Sequence, residues 1–235
     1  MNKQPTKDIQ RYWYVYDDAD AVAKEAAERI LKHATKSIED RGVFRLVLAG
    51  GRTPEATYRL LVGADTDWSC WEIYFGDERC LPLGDPDRNS VMAGNALLNS
   101  VEIPAANIYP IPSEKGAKIA AKEYKSIVKA AIPFDVVVLG IGEDGHTASL
   151  FPSHKHPVDQ LVCPVYNSPK PPSDRVTMGI RALSDAREIL ILATGAGKQD
   201  AIEAWQDGEP LPIAKIGNPA PVNILMDRAA EPSLG

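Results

Sequence analysis

The sequence predicts an α/β fold of the doubly wound type, with a mainly parallel sheet and helices on both of its faces. Short apolar runs alternate with helical patterns along the chain, and several of these runs carry apolar residues on both faces of the predicted strand. Strands that are buried on both faces and separated by helices are typical of a parallel sheet. No repeat or low-complexity tract divides the 235 residues. Residues 1–235 are therefore predicted to form one domain with a smaller appended structure.

The individual elements follow from local patterns. The run YWYVY around Trp13 indicates an edge strand, and a long helix follows it, ending at Gly42. One face of this helix carries Val22, Ala26, Ile30, Ala34 and Ile38. Further strands are predicted from the runs that begin at Phe44, Trp71, Ile108, Phe134, Leu161, Arg175, Glu188 and Val222. Further helices are predicted for PEATYRLL, SVMAGNALL, EKGAKIAAKEYKSIVKAA and KQDAIEAW.

Composition narrows the class of protein. The formal net charge of −6 argues against nucleic acid or an anionic membrane as a partner, so an anionic ligand needs a local cluster of cations. Cys70, Cys80 and Cys163 are too scattered for a disulfide framework or a four-thiolate metal site, which favours the reducing cytoplasm. We find no signal-peptide pattern and no apolar stretch of membrane-spanning length.

Ligands of such sheets bind beyond the carboxyl ends of the strands, so the loops that follow the strands are the candidates for the functional site. In AGGRTPEATYRLL, Gly50 and Gly51 let backbone N–H groups approach an anion. Thr53 is predicted to be the N-cap of the next helix, with Pro54 at its first position. The loop lacks the G-K-[ST] ending of a nucleoside triphosphate loop. A cradle for a small phosphate ester is one interpretation, and a tight strand-to-helix turn is the alternative.

The second loop is YFGDERCLPLGDPDRNS. Asp77, Glu78 and Arg79 offer two carboxylates and a guanidinium that suits phosphate or carboxylate ligands. Asn89 and Ser90 are placed to cap the following helix. A solvated turn is the alternative interpretation of the charged triplet.

The third loop, LGIGEDGHTASL, contains Gly140, Gly142 and Gly145 in the spacing G-x-G-x-x-G. A dinucleotide site needs a full helix after these glycines, but a helix beginning near Thr147 would meet FPSHKHP almost at once. Asp144 would also place a negative charge beside the pyrophosphate. The dinucleotide interpretation is therefore disfavoured.

The same loop offers an acid–base pair instead. His146 is predicted to lie beside a helix start near Thr147. It suits a general base near neutral pH, and Asp144 can fix its tautomer and stabilise its charged form. A histidine that only caps a turn is the alternative. Nearby, His154 and His156 lack a third metal ligand and are interpreted as part of a surface loop.

The fourth loop, TGAGKQDAI, places Gly195, Gly197 and Lys198 at a helix start, a second arrangement suited to an anion. SPKPPSDRV brings Lys170 and Arg175 to the start of another strand. Surface charges are the alternative interpretation.

Taken together, AGGRTP, GDER, GEDGHTASLFP, SPKPP with Arg175, and TGAGK resemble the 6-phosphogluconolactonase family in their order. The resemblance covers nearly the whole chain, and the wider group includes glucosamine-6-phosphate deaminases. It implies hydrolysis of 6-phospho-D-glucono-1,5-lactone to 6-phospho-D-gluconate, with this phosphosugar lactone as the small-molecule partner. It implies neither a metal nor a cofactor, and a monomer is compatible with it.

The resemblance also implies residue roles. His146 would be the general base, Asp144 would orient it, and Arg79 would meet phosphate or the developing oxyanion. Asp77 and Asn89 would contact sugar hydroxyls or brace the loops. The implied substrate-binding residues are Gly50, Gly51, Arg52, Thr53, Asp77, Asn89, Gly142, Arg175 and Lys198.

Departures from the family pattern bear on the reaction. The related deaminases have D-G-H-x-x-x-x-E, and Phe151 stands here at the glutamate position, which favours hydrolysis over deamination. Arg52 replaces the usual serine of the AGGSTP pattern, and the two interpretations of it are an added phosphate contact and a side chain that points to solvent. Arg88 stands before Asn89 where a serine is expected, and RVTMGI replaces the commoner R-[IV]-T-L-T. A sugar-phosphate sensor is a further alternative, but the chain has no DNA-binding helix-turn-helix pattern.

Overall fold

The computed structural model describes residues 9–217 and 220–232. The strands within these residues are β1 (Arg11–Tyr16), β2 (Phe44–Leu48), β3 (Trp71–Phe75), β4 (Asp77–Arg79), β5 (Ile108–Tyr109), β6 (Phe134–Gly140), β7 (Val162–Val165), β8 (Arg175–Met178), β9 (Ala186–Ala193) and β10 (Val222–Asp227). The helices are α1 (Ala19–Arg41), α2 (Arg52–Leu61), α3 (Asn89–Ala93), α4 (Ala117–Ala131), α5 (Ile180–Ser184) and α6 (Gln199–Gln206).

Seven parallel strands form the main sheet, in the order β1-β10-β9-β6-β2-β3-β5. The first six residues of the central strand β6 are all shielded from water, as is typical of a parallel sheet that is covered on both faces. The helices that connect the strands pack against the sheet and complete one large apolar core. The predicted α/β doubly wound class is confirmed.

A second, three-stranded antiparallel sheet has the order β4-β8-β7. The runs beginning at Leu161 and Arg175 therefore form strands, as predicted, but in this small sheet rather than in the large one. The charged triplet Asp77–Arg79, interpreted as a loop, is its short strand β4. This small sheet continues from the carboxyl end of β3, so it stands beside the edge where ligands are expected.

Helix α1 follows its sequence pattern closely. Val22, Ala26, Ile30 and Ala34 are buried as predicted, and Gly42 ends the helix in the left-handed conformation at a φ of 72°. None of the helices in the described ranges has the length and apolarity needed to cross a bilayer. The three cysteines all have free thiols.

Candidate active site

Strands β2 and β6 lie side by side, and the chain adds its next strand of the main sheet on opposite sides of this pair. From β2 it continues to β3 on one side, and from β6 it continues to β9 on the other. Such a switch point opens a crevice outside the carboxyl ends of the two strands. The glycine loops that begin at Gly50 and Gly140 leave these two strands, and the loop after Ala193 leaves the neighbouring β9.

The loop after β6 folds back on itself and carries His146 over Gly142. The N–H of Gly142 donates to the carbonyl of His146 at 2.8 Å, and the N–H of Gly145 donates to the carbonyl of Gly142 at 3.0 Å. A Cβ atom at residue 142 would overlap the His146 ring. Gly142 is therefore required by the histidine's position.

No helix begins near Thr147, contrary to the prediction. The N–H of Leu150 donates to the carbonyl of Thr147 at 2.9 Å, closing a tight turn in which Ala148 has a φ of +48°. The G-x-G-x-x-G spacing thus lacks the helix that a dinucleotide loop requires, and His146 does not lie at a helix start.

Asp144 and His146 form a hydrogen-bonded pair. His146 Nδ1 bonds Asp144 Oδ1, and the His146 backbone N–H donates to the same oxygen at 3.2 Å. The imidazole is 17% exposed and the carboxylate 39%. Burial lowers the pKa of His146, and this outweighs the opposite effect of Asp144. The imidazole is therefore mostly neutral at pH 7, with Nε2 as the nitrogen available to accept a proton.

Burial raises the pKa of Asp144, but its hydrogen bonds and charge interaction with His146 act more strongly together and lower it. The carboxyl group is consequently ionised at neutral pH. An ionised carboxylate on Nδ1 fixes that nitrogen as the protonated one and stabilises the imidazolium once it forms.

Phe151 covers the imidazole. Its side chain is fully buried, and its ring centroid lies 4.8 Å from that of His146. The guanidinium carbon of Arg175 lies 5.7 Å from the Phe151 ring centroid. This aromatic side chain is part of the burial that lowers the pKa of His146.

Three cations gather at the same edge of the sheet. Burial lowers the pKa of Lys198, and the positive charges of Lys170 and Arg52 lower it further, while Glu143 and Asp144 oppose this effect. Lys170 also acts on His146. This is the local cationic cluster that a chain of net negative charge needs if it is to bind an anion.

The AGGRTP loop differs from its prediction in one detail. Helix α2 begins at Arg52 with Gly51 as N-cap, so Thr53 is not the capping residue. Thr53 Oγ1 instead hydrogen-bonds Thr194 Oγ1 at 2.6 Å, which ties this loop to the loop after β9. The first turn of α2 still presents backbone N–H groups at this edge, an arrangement suited to an anion.

Asp77 and Asn89 lie together and are buried. Asn89 Nδ2 donates to the backbone carbonyl of Asp77 at 2.9 Å and to Asp77 Oδ1 at 3.0 Å. Asp77 Oδ2 accepts from Ser149 Oγ at 2.5 Å. A Cβ atom at Gly50 would overlap the Asn89 side chain, so this glycine permits a close approach. Of the two predicted roles, these contacts favour bracing the loops.

Glu78 caps α3, where Asn89 and Ser90 had been predicted to do so. Its carboxylate accepts from the backbone N–H groups of Asn89 at 2.7 Å, Ser90 at 2.8 Å and Arg79 at 2.9 Å. Arg88, 2% exposed, lies 3.6 Å from this carboxylate. Its guanidinium also donates to backbone carbonyls. Arg88 is thus a buried structural residue rather than a substrate contact.

Arg175 is buried and supports the loop that carries Lys170. Its guanidinium donates to the carbonyls of Lys170 at 3.0 Å, Pro171 at 2.8 Å and Pro172 at 3.2 Å. Arg79 stands opposite it in the β4–β8 register. Arg79 donates one bond to the carbonyl of Asp87, and its buried Nε has no partner among the described residues.

The predicted residues therefore fall into two groups. His146, Asp144, Arg52 and Lys198 surround the crevice with exposed or half-buried polar groups, whereas Asp77, Asn89 and Arg175 are buried and bonded to the chain. Sequence reasoning missed Ser149, whose only signal is its place in GEDGHTASLFP. His154 and His156 bond backbone carbonyls through Nε2, as expected of a surface loop.

Comparison with known proteins defines the class. The model of the family described as glucosamine-6-phosphate isomerases/6-phosphogluconolactonase matches residues 17–225, and the chain belongs to this family. Relatives named 6-phosphogluconolactonase include one from Streptomyces coelicolor, 33% identical over 94% of this chain and 93% of its own length. Another, from Mycobacterium tuberculosis, is 33% identical over 94% and 97%. The family predicted from the motifs is confirmed.

Solved structures agree with this assignment. The 6-phosphogluconolactonase from Thermotoga maritima has a TM-score of 0.87 at 27% identity, covering 93% of this chain and all of the other. The enzyme from Trypanosoma brucei has a TM-score of 0.85 at 25% identity, covering 95% and 98%. A monomeric glucosamine-6-phosphate deaminase, 20% identical with a TM-score of 0.80 over 94% and 98%, shares the fold.

Proposed function

We propose that this protein hydrolyses 6-phospho-D-glucono-1,5-lactone to 6-phospho-D-gluconate, using His146 as general base and neither a metal ion nor a cofactor. The observation that carries the proposal is the neutral, Asp144-bonded imidazole beside the cationic cluster of Arg52, Lys170 and Lys198. A base and a phosphate-binding cluster at one crevice suit an enzyme that acts on a phosphorylated ester.

The chemistry proceeds in two steps. His146 Nε2 takes a proton from water as the water oxygen attacks C1 of the lactone, and Asp144 stabilises the resulting imidazolium. The tetrahedral intermediate then expels the ring oxygen, and the imidazolium returns its proton to that oxygen as the C1–O bond breaks. Because a lactone is already an activated ester, a positioned water, a base and fixed positive charges suffice without a covalent intermediate.

The substrate phosphate is assigned to the cationic cluster. Lys198, Arg52 and Lys170 supply positive charge, and the loop of Gly51 and Thr53 supplies the N–H groups at the start of α2. Arg79 is assigned to the phosphate or to the oxyanion at C1. Its buried Nε, without a partner among the described residues, supports a ligand-binding role.

The buried predicted residues are assigned supporting roles. Asp77, Asn89 and Gly50 brace the loops, Arg175 holds Lys170 at the crevice, and Gly142 makes room for the His146 ring. A monomeric state stays a prediction. The cytoplasmic location stays a prediction from the cysteine content.

Deamination of an amino sugar phosphate is the less favoured activity. The related deaminases use a carboxylate at the position of Phe151, and this ring is fully buried against His146. An apolar side chain there cannot transfer protons to an opening sugar ring.

The test is hydrolysis of freshly generated 6-phosphogluconolactone in the presence of a metal chelator. The wild type is expected to be fast, and His146→Ala at least about 100-fold slower, the usual scale of a lost general base. His33→Gln, which changes a histidine of α1 that bonds Glu188 near the start of β9, is the matched control and is expected to match the wild type. A folded wild type that does not accelerate hydrolysis would contradict the proposal.

A further inference from the structure

Asp77 joins two parts of the structure that are distant in sequence. Its backbone belongs to β4, which pairs with β8 through the register Asp77 to Thr177. One carboxylate oxygen accepts from Asn89 and the other accepts from Ser149. Hydrogen bonds to an ionised carboxylate are among the stronger ones in proteins. The bond from Ser149 is therefore a firm link between the small sheet and the loop after β6.

Ser149 has further contacts that fix its position. Its side chain is fully buried, and its N–H donates to Thr177 Oγ1 at 3.3 Å. Thr177 Oγ1 in turn donates to the carbonyl of Met178 at 3.0 Å. Both hydrogen-bond donors of Ser149, its N–H and its hydroxyl, are thus bonded to residues of the small sheet.

The turn that carries Ser149 needs such support. Ala148, the residue before it, has a φ of +48°, a conformation that a residue with a Cβ atom adopts at an energetic cost. Strained positions of this kind persist when surrounding contacts hold them. The two bonds of Ser149 hold this turn on one side of Ala148. Thr147 Oγ1, which donates to the carbonyl of Gly140 at 2.8 Å, holds it on the other side.

In the sequence, Ser149 also stands between the two residues whose rings pack together in the site. His146 comes three residues before it, and Phe151, which packs on the imidazole, comes two residues after it. We propose that Ser149 is a positioning residue for His146, which holds the imidazole and its Phe151 cover in place by anchoring the turn to Asp77. This inference rests on the proposed function, because it assigns Ser149 to the same reaction.

Loss of the Ser149 hydroxyl should loosen the turn and admit water to His146. We expect Ser149→Ala to lower kcat on the order of 10-fold, since small misplacements of a catalytic group are costly. KM should change less, because the cationic cluster lies on other loops. The charged groups that face His146 are Asp144, Lys170 and Asp77. With less burial, the pKa of His146 should rise, moving the acidic limb of kcat/KM to higher pH.

The experiment combines kinetics with an NMR titration of the His146 ring, which needs no substrate. Ser149→Cys, a similar side chain with a weaker donor, is the second variant and should give a smaller change in the same direction. Ser153→Ala, which removes an exposed hydroxyl nearby, is the matched control. Asp77→Asn keeps a hydrogen-bonding partner for Ser149 but removes the charge, so it should shift the pKa of His146 downward.

A lower kcat with an upward shift of the His146 titration in Ser149→Ala, and neither change in Ser153→Ala, would support the inference. An unchanged His146 titration would overturn it, whether or not kcat falls. If the wild type does not hydrolyse the lactone while the titration still shifts in Ser149→Ala, the positioning role stands and the proposed function fails.

Discussion

Two acidic pairs follow the strands on either side of β2 in the main sheet, and their environments differ. After β6, Glu143 and Asp144 are exposed, and Asp144 bonds one imidazole. After β3, Asp77 and Glu78 are buried, and their oxygens accept bonds from the chain itself. A carboxylate with one partner and access to water can take part in chemistry, whereas one whose lone pairs are filled serves the structure.

The difference has an energetic basis. A buried charge without partners is costly, so Glu78 is surrounded by backbone N–H groups and Arg88. Asp144 keeps its contact with solvent and does not require such a shell. Changes in the buried pair should therefore lower stability, whereas in the exposed pair a change of Asp144, the residue that bonds His146, should lower activity.

The largest effect is expected at Glu78. Glu78→Ala should lower the free energy of unfolding by about 3–5 kcal/mol, because it leaves Arg88 and capping N–H groups without their partner. Urea denaturation measures this. Glu123→Ala, which removes an exposed carboxylate paired with Lys115, is the control and should change stability by less than about 1 kcal/mol. Similar losses for the two variants would remove the distinction between buried and exposed carboxylates.

Next in size is Asp144→Asn. It should lower kcat/KM on the order of 100-fold and change the free energy of unfolding by only about 0.5 kcal/mol. Asp144 raises the pKa of His146, so its loss should lower that pKa and move the acidic limb to lower pH. Steady-state kinetics across pH and denaturation test both statements. Glu143→Gln is the control on the same loop. An activity loss of equal size there would show that the specific pairing is unimportant.

The smallest effect is expected at Lys198, which extends the comparison from the acidic residues to a cation of the proposed phosphate site. Lys198→Ala should raise KM about 10-fold with a lesser change in kcat, because the phosphate is bound equally in the ground and transition states. Lys122→Ala, on the distant face of α4, should leave both constants unchanged. A fall in kcat at constant KM would instead assign Lys198 to the reacting carbonyl.

The fold could be predicted because its signals are local. The apolar face of α1, its glycine end and the mostly apolar run of β6 are each readable within one window of sequence. The membership of β7 and β8 in a separate sheet could not be predicted in this way. Strand patterns indicate burial, but the choice of neighbour depends on long-range packing.

The site was predictable in its residue types and less so in its contacts. His146, Asp144 and the glycines stand out by spacing. The tight turn found after Thr147 in place of a helix has no such signal, because a bond from Ser149 to Asp77, 72 residues away in the chain, anchors it. The capping of α3 by Glu78 is a similar case, because it joins residues 11 and 12 positions apart across a loop. Contacts of this kind leave no signal in a local sequence pattern.

The pairing of β1 with β10 has a consequence for biosynthesis. Strand β1 is made early, yet its neighbour in the sheet is β10, so Arg11 must wait for its partner Val222. Until β10 has left the ribosome, the apolar side of β1 has no permanent cover, and α1 lacks part of the surface against which it packs. This edge of the sheet can therefore fold only after β10 has been made, and the nascent chain is exposed to aggregation until then.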